Sequence, residues 1–164
     1  IDVETVVGQG TTFRIYLPAL ACVTEGASED SATVPLGQGE TLLLVEDNAQ
    51  LRKAGQSILT ELGYRVRTAA NGREALTLVQ AQGPFALLIT DLVMPEMGGK
   101  ALLQALRRRV PHLKALAMTG YTAQESEGDL RAAGFLDVIR KPFDADRLAR
   151  AVRRALDEGA KECK

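Results

Sequence analysis

Carboxylate, hydroxyl and ammonium groups stand at the ends of apolar runs in this sequence. Phe85-Ala86-Leu87-Leu88-Ile89-Thr90 closes on Asp91, with Met94-Pro95 just behind. Leu42-Leu43-Leu44-Val45 closes on Glu46-Asp47, Ala115-Leu116-Ala117-Met118 on Thr119, and Val138-Ile139-Arg140 on Lys141-Pro142. A short apolar run closed by turn residues is the pattern of a strand buried on both faces. The carboxyl ends of parallel strands form the rim on which open α/β sheets bind ligands. Three acids, a hydroxyl and an amine are therefore expected on one edge. Crowded carboxylates repel, and a hard divalent cation relieves the repulsion. Mg²⁺ suits such a site because it takes oxygen ligands octahedrally and keeps several waters. The Lys141 point charge on its flexible stem suits an anionic oxygen that the cation does not reach.

Repeating elements must carry these groups. From Glu40 onward the chain alternates strand and helix five times, with strands near 41–46, 64–69, 85–90, 114–119 and 135–140. Helices are expected near 49–62, 73–82, 99–110, 123–133 and 144–157. The first carries Leu51, Ala54, Ile58 and Leu62 on one face and stops at Gly63. Asn71-x-x-Glu74 starts the second, Pro111 ends the third, Thr122-x-x-Glu125 is a capping box for the fourth, and Asp144 caps the fifth, which buries Leu148, Val152, Ala155 and Leu156. Right-handed crossovers turn this order into a doubly wound parallel sheet.

Ahead of this domain, residues 1–18 alternate as a hairpin around Gly8-Gln9-Gly10. Residues 19–39, with Thr24-Glu25-Gly26-Ala27-Ser28-Glu29-Asp30-Ser31 at their centre, have too little apolar surface to offset chain entropy and read as a flexible linker. Residues 159–164 are a short tail.

The ordered set Glu46-Asp47, Asp91, Thr119 and Lys141-Pro142 resembles the receiver (response-regulator) domain of two-component signalling, over about 40–158. The resemblance implies a flavodoxin-like (βα)5 sheet of strand order 2-1-3-4-5. It implies that Asp91 accepts a phosphoryl group from phosphohistidine. Asp47, Asp91 and the Val93 backbone carbonyl would hold Mg²⁺, with Glu46 acting mostly through a bound water. Thr119 and Lys141 would contact the phosphoryl group, and Gly120 would leave room for the donor. The Lys141-Pro142 bond is often cis in this family. Val138 stands where the family usually has Tyr or Phe, which puts the ordinary Thr–aromatic switch in doubt. Val93 and Tyr121 would flank the path of attacking water and slow loss of the phosphoryl group.

Residues 1–18, with Gly8-Gln9-Gly10-Thr11-Thr12-Phe13, look like the last hairpin of a histidine-kinase ATPase domain. The two resemblances together imply the C-terminal part of a hybrid sensor histidine kinase. The implied partners are the kinase helices bearing the phosphodonor histidine, docking near helix one, and a histidine phosphotransfer protein. The kinase's nucleotide-binding motifs are absent from this sequence, so kinase activity would belong to the parent chain.

Composition narrows the alternatives. At formal charge −1 over 164 residues, the chain lacks the basic balance of a nucleic-acid-binding domain. No apolar stretch approaches the ~18 residues of a membrane span. The expected location is cytoplasmic, with Cys22 and Cys163 as free thiols, and the initial Ile1 suggests a fragment. His112 is the only histidine, which argues against a zinc site. A dinucleotide enzyme would need GxGxxG after its first strand, where Glu46-Asp47-Asn48 stands. A pseudo-receiver that only makes protein contacts is the remaining alternative. For single residues the plain alternatives are a cap at Asp91 or Glu46-Asp47, a buried strand hydroxyl at Thr119 and a solvated loop lysine at Lys141. Arg107-Arg108-Arg109 reads as favourable charge at a helix C-terminus. Arg147, Arg150, Arg153 and Arg154 read as the solvated face of helix five. Gly55 admits either close approach by a partner or tight packing on the sheet.

Overall fold

Apolar side chains along the buried strands separate onto two faces, and that separation fixes the architecture. The computed structural model describes residues 1–16, 34–83, 85–120 and 126–158. It divides into two units, Ile1–Thr33 and Val34–Lys164.

In the first unit, β1 (Asp2–Val6) pairs antiparallel with β2 (Gly10–Arg14). Val3 stands opposite Phe13, and the Thr5 and Thr11 hydroxyls meet at 3.2 Å. An Arg14–Glu4 ion pair of 2.7 Å lies across the strands. Val3 and Phe13 are both exposed. The expected hairpin is present, while 17–33, most of the expected linker, lies outside the described residues.

The second unit holds β3 (Thr41–Val45), α1 (Ala49–Glu61), β4 (Arg65–Ala69), α2 (Gly72–Gln82), β5 (Leu87–Asp91), α3 (Gly99–Arg107), β6 (Ala115–Thr119), α4 (Glu127–Ala132), β7 (Asp137–Arg140) and α5 (Ala145–Asp157). All strands are parallel in the order β4-β3-β5-β6-β7, which is 2-1-3-4-5 within the unit. Leu42, Leu44, Leu87, Ile89, Leu116 and Met118 face α1 and α5, packing with Leu59, Leu148 and Val152. Leu43, Val45, Leu88, Ala115 and Ala117 face α2, α3 and α4, packing with Ala75, Leu102, Leu106 and Leu130. Each such leucine contributes about 1.5–3 kcal/mol by leaving water.

Several local expectations shift. Helix α1 keeps half of its expected face, with Leu62 buried and Ile58 packed on the core, but Leu51 and Ala54 are exposed, whereas Gly55 and Leu59 are buried. A Cβ on Gly55 would stand 3.1 Å from Leu44 Cδ2, so tight packing on the sheet accounts for this glycine. Asn71 caps α2 by accepting from the Glu74 amide at 2.9 Å, as expected. Helix α3 ends at Arg107 rather than near 110. The Arg107 guanidinium donates to the Gly134 carbonyl at 2.7 Å and the Leu113 carbonyl at 3.2 Å, so it ties α3 to the turn before β7 instead of only serving the helix terminus. Helix α4 starts at Glu127, with Ser126 and Asp129 forming the capping box. The expected box at Thr122 and Glu125 lies outside the described residues. Asp144 caps α5, accepting from the Arg147 amide at 2.7 Å.

The approach to β3 is built into the second unit, although 34–39 was expected to belong to the linker. Val34 packs on the α1/α5 core, and the Gly37 amide donates to the Leu62 carbonyl at 2.7 Å. The Arg65 amide donates to the Glu40 carbonyl at 3.0 Å. Arg153, expected on the solvated face of α5, is only 18% exposed and binds the Glu40 carboxylate at 2.7 Å and Asp157 at 2.8 Å. Burial would raise the Glu40 pKa, but the hydrogen bond from Arg153 and those from the backbone outweigh it and hold it below the usual value.

Candidate functional site

Two strand ends bring the acids together. Glu46 and Asp47 follow β3 and lead into α1. Asn48 caps that helix, its side-chain oxygen accepting from the Gln50 and Leu51 amides at 2.9 and 3.1 Å. The Asn48 amide in turn donates to Asp47 Oδ1 at 3.0 Å, so the cap and the acid pair share one short loop. Asp91 ends β5, the strand beside β3, and the Val93 amide donates to its Oδ1 at 3.1 Å. Carboxylate oxygens of Glu46, Asp47 and Asp91 lie within 4.8 Å of one another. Glu46 is 2% exposed and Asp91 8%, while Asp47 is open to solvent.

Lys141 reaches this cluster from the end of β7. Its amide donates to the Thr119 carbonyl at 2.8 Å, and the Lys141-Pro142 bond is cis. Its Nζ lies 2.5 Å from Glu46 Oε2 and 2.6 Å from Asp91 Oδ2. The solvated-lysine alternative is thereby removed. Burial pushes the Glu46 pKa up, and Lys141 only partly offsets it. Burial would lower the Lys141 pKa, but its hydrogen bonds to Asp91 and Glu46 outweigh that and raise it. Thr119 is nearly buried at the end of β6, next to β5, and its hydroxyl donates to the Gly120 carbonyl at 3.2 Å. Glu46, Asp91 and Lys141 are thus in direct contact, Asp47 and Thr119 border them, and the Val93 side chain is 72% exposed at the rim. Val138 is half-buried against the core beneath α4. Tyr121 lies outside the described residues.

Two structural contributors escaped the sequence reading. Arg52 Nη1 on α1 donates to the Glu46 carbonyl at 2.6 Å and the Asp47 carbonyl at 3.1 Å, behind the acid pair. A Cβ on Gly99 would lie 2.4 Å from the Asp91 carbonyl oxygen, so α3 starts against the strand end only because that residue is glycine. The Gly98-Gly99 pair was the visible sign of the second. Nothing distinguished Arg52 from a solvated helix arginine.

Chemically, the cluster is an oxygen-rich pocket with one acid exposed, two buried and a cation on the far side. Its all-carboxylate donors within one ion's reach fit Mg²⁺, a hard ion that tolerates water in the remaining positions.

This sheet order with acids on the switch-point rim defines a flavodoxin-like receiver fold. The chain belongs to the response regulator receiver domain family, whose model matches residues 42–153. Sensor kinase CckA of Brucella abortus (strain 2308) is 34% identical over 166 residues, covering 94% of this chain and 17% of that protein. Sensor histidine kinase AruS of Pseudomonas aeruginosa is 35% identical over 156 residues, covering 93% of this chain and 15% of that protein. The chain therefore spans about a sixth of the length of these curated relatives. Among solved structures, the Vibrio cholerae chemotaxis protein CheY4 superposes with TM-score 0.66 at 31% identity, over 71% of this chain and 98% of that one.

Proposed function

We propose that this receiver domain is a phosphoacceptor, with Asp91 taking a phosphoryl group from a phosphohistidine. The observation that supports it most is the Lys141 ammonium bridging Glu46 and Asp91 inside a three-acid cluster. An Asp91 carboxylate oxygen attacks phosphorus, the N–P bond breaks, and its electron pair returns to the donor imidazole, leaving an acyl phosphate. Such transfer depends mainly on positioning and charge neutralisation. Mg²⁺, when bound, supplies positive charge to the transferring oxygens. Asp47, Asp91 and the Val93 carbonyl would hold it, with Glu46 ligating through water. Lys141 exchanges a carboxylate partner for a phosphoryl oxygen. Thr119 turns its hydroxyl from the Gly120 carbonyl to the new anion.

The wider reading is that this domain serves a hybrid sensor histidine kinase. Two relatives are named sensor kinases and align over nearly the whole chain. On that reading residues 1–18 are the last hairpin of the ATPase domain, 19–33 the linker, 34–158 the receiver and 159–164 a tail. The partners are phosphodonor helices docking beside the exposed Leu51 and Ala54, or a histidine phosphotransfer protein. The setting is cytoplasmic; among the described residues no helix is long and apolar enough to cross a membrane.

The test is labelling by acetyl phosphate with Mg²⁺. Wild type should incorporate phosphate and Asp91→Asn should not. Equal labelling of the variant removes Asp91 as acceptor. No labelling of wild type, together with no Mg²⁺ binding, supports the pseudo-receiver instead.

A further inference from the structure

We infer that Arg52 is a positioning residue for the metal-binding acids, holding their backbone from behind while leaving their carboxylates free. The inference rests on the reading of Glu46, Asp47 and Asp91 as the Mg²⁺ site. It starts from one atom: Arg52 Nη1 lies 2.6 Å from the Glu46 carbonyl and 3.1 Å from the Asp47 carbonyl. Two consecutive carbonyls at a strand-to-helix turn thus accept from one cationic group.

The loop needs such a clamp. Beyond the end of β3, the Glu46 amide still pairs with the Ala69 carbonyl at 3.1 Å, and α1 begins only after the Asn48 cap. Between these anchors the two acids must diverge. Glu46 is buried toward Lys141, and Asp47 is open to solvent. Mutual repulsion among three carboxylates within 4.8 Å favours swinging the exposed one away. A guanidinium bonded to a carboxylate would stop that motion but would occupy the oxygens that an ion requires. Bonded to the carbonyls, it fixes the peptide, adds positive charge close to the acids and leaves the Asp47 carboxylate free of the guanidinium, with the Asn48 amide as its donor.

Position on the helix makes this possible. The Arg52 amide belongs to the first hydrogen-bonded turn, donating to the Asn48 carbonyl at 2.9 Å. Its side chain runs back toward the helix N-terminus, the direction in which long helical side chains project. One turn further on, Gly55 lets α1 lie close over Leu44 of β3, so the stem of Arg52 starts near the loop it clamps. Residues that orient metal ligands from behind typically change metal affinity by about 10–100-fold when removed. Because Arg52 is partly solvent-exposed, the low end applies.

The experiment is Mg²⁺ titration of wild type, Arg52→Met and Arg52→Lys, followed by backbone amide shifts, which also report whether each variant is folded. The Mg²⁺ dissociation constant should rise about tenfold in Arg52→Met and only about threefold in Arg52→Lys, which keeps a cation but a shorter reach. In acetyl phosphate labelling, the Mg²⁺ concentration for half-maximal rate should move by the same factors, while the rate at saturating Mg²⁺ returns to the wild-type level. Wild-type affinity in a folded Arg52→Met protein overturns the inference. So does an equal loss in both variants, or a saturated rate that stays low. Should Arg52→Met not fold, Arg52→Lys alone decides: unchanged affinity overturns the inference, and a threefold loss with full saturated rate upholds it. Absence of Mg²⁺ binding by wild type would instead refute the reading of the acids themselves.

Discussion

Replacing Lys141 by Met should destabilise the metal-free domain by about 3 kcal/mol at neutral pH, and Mg²⁺ should recover most of the loss. Lys141 contacts Glu46 and Asp91 at 2.5 and 2.6 Å, and the three side chains are 15%, 2% and 12% exposed. Removing one partner of a buried ion pair costs about 3–5 kcal/mol, because the other charge stays behind. An independent figure comes from repulsion: two unit charges 4.8 Å apart, the limit on the cluster's ligand oxygens, repel by about 3.5 kcal/mol at an effective dielectric constant near 20. A loss of ~3 kcal/mol lowers Tm by roughly 10 °C in a domain of this size. The pH dependence follows from Glu46, whose pKa burial has already raised above 4.5. An acid with a raised folded pKa contributes stability that is present below its unfolded value and lost as pH rises through the folded one. Protonated Glu46 no longer needs the ammonium, so its share of the Lys141→Met deficit should fall away below pH 4.5 and grow above it. Urea unfolding at acidic and neutral pH, with and without saturating Mg²⁺, measures all of this. Wild-type stability of the variant at neutral pH would refute the reasoning. A deficit that ignores both acid and Mg²⁺ would refute it equally.

Other outcomes follow from the same geometry. Asp47→Ala should lose Mg²⁺ binding in a calorimetric titration yet unfold at slightly higher urea when metal-free, since one of three crowded charges is gone. Glu40→Gln should cost about 1 kcal/mol at neutral pH through its bond to Arg153. That term belongs to a lowered acid pKa, so it is present above 4.5 and vanishes as pH falls through the folded value, which paired urea curves will reveal. With Mg²⁺ and beryllofluoride, the largest amide shifts should fall in the loops after Asp91 and Thr119, because Val138 carries no ring to swing inward; dominant shifts on α4 and α5 would contradict this.

The strand ends were readable because buried parallel strands are continuous apolar runs, and each chemical group interrupts one of them. Caps at Asn71 and Asp144 were readable because a cap is a local contract between neighbours. What escaped depends on distance or on shape. Glu40 and Arg153 are 113 residues apart, and no periodicity links them. The face of α1 was read correctly at Ile58 and Leu62 but not at Leu51 and Ala54, because close packing put the smallest residue, Gly55, against the sheet. Arg107 looked like helix-end charge because its acceptor, the Gly134 carbonyl, lies in a different turn. The Arg52 clamp binds carbonyls, which every residue has, and so leaves no trace in residue types.

The fastening of residues 34–40 also sets a reach. The chain is fixed at the starting end of β3, whereas the acids stand at its finishing end, five residues later. At ~3.3 Å per residue that is about 16 Å of sheet. Anything joined upstream is therefore tied to the side of the domain opposite the acid rim, and must travel around the sheet to meet it. Local concentration of an attached group at the rim then depends on where the chain is fastened. The contacts of Val34, Gly37 and Glu40 share that fastening, so losing the Arg153 bond alone leaves the point of attachment where it is.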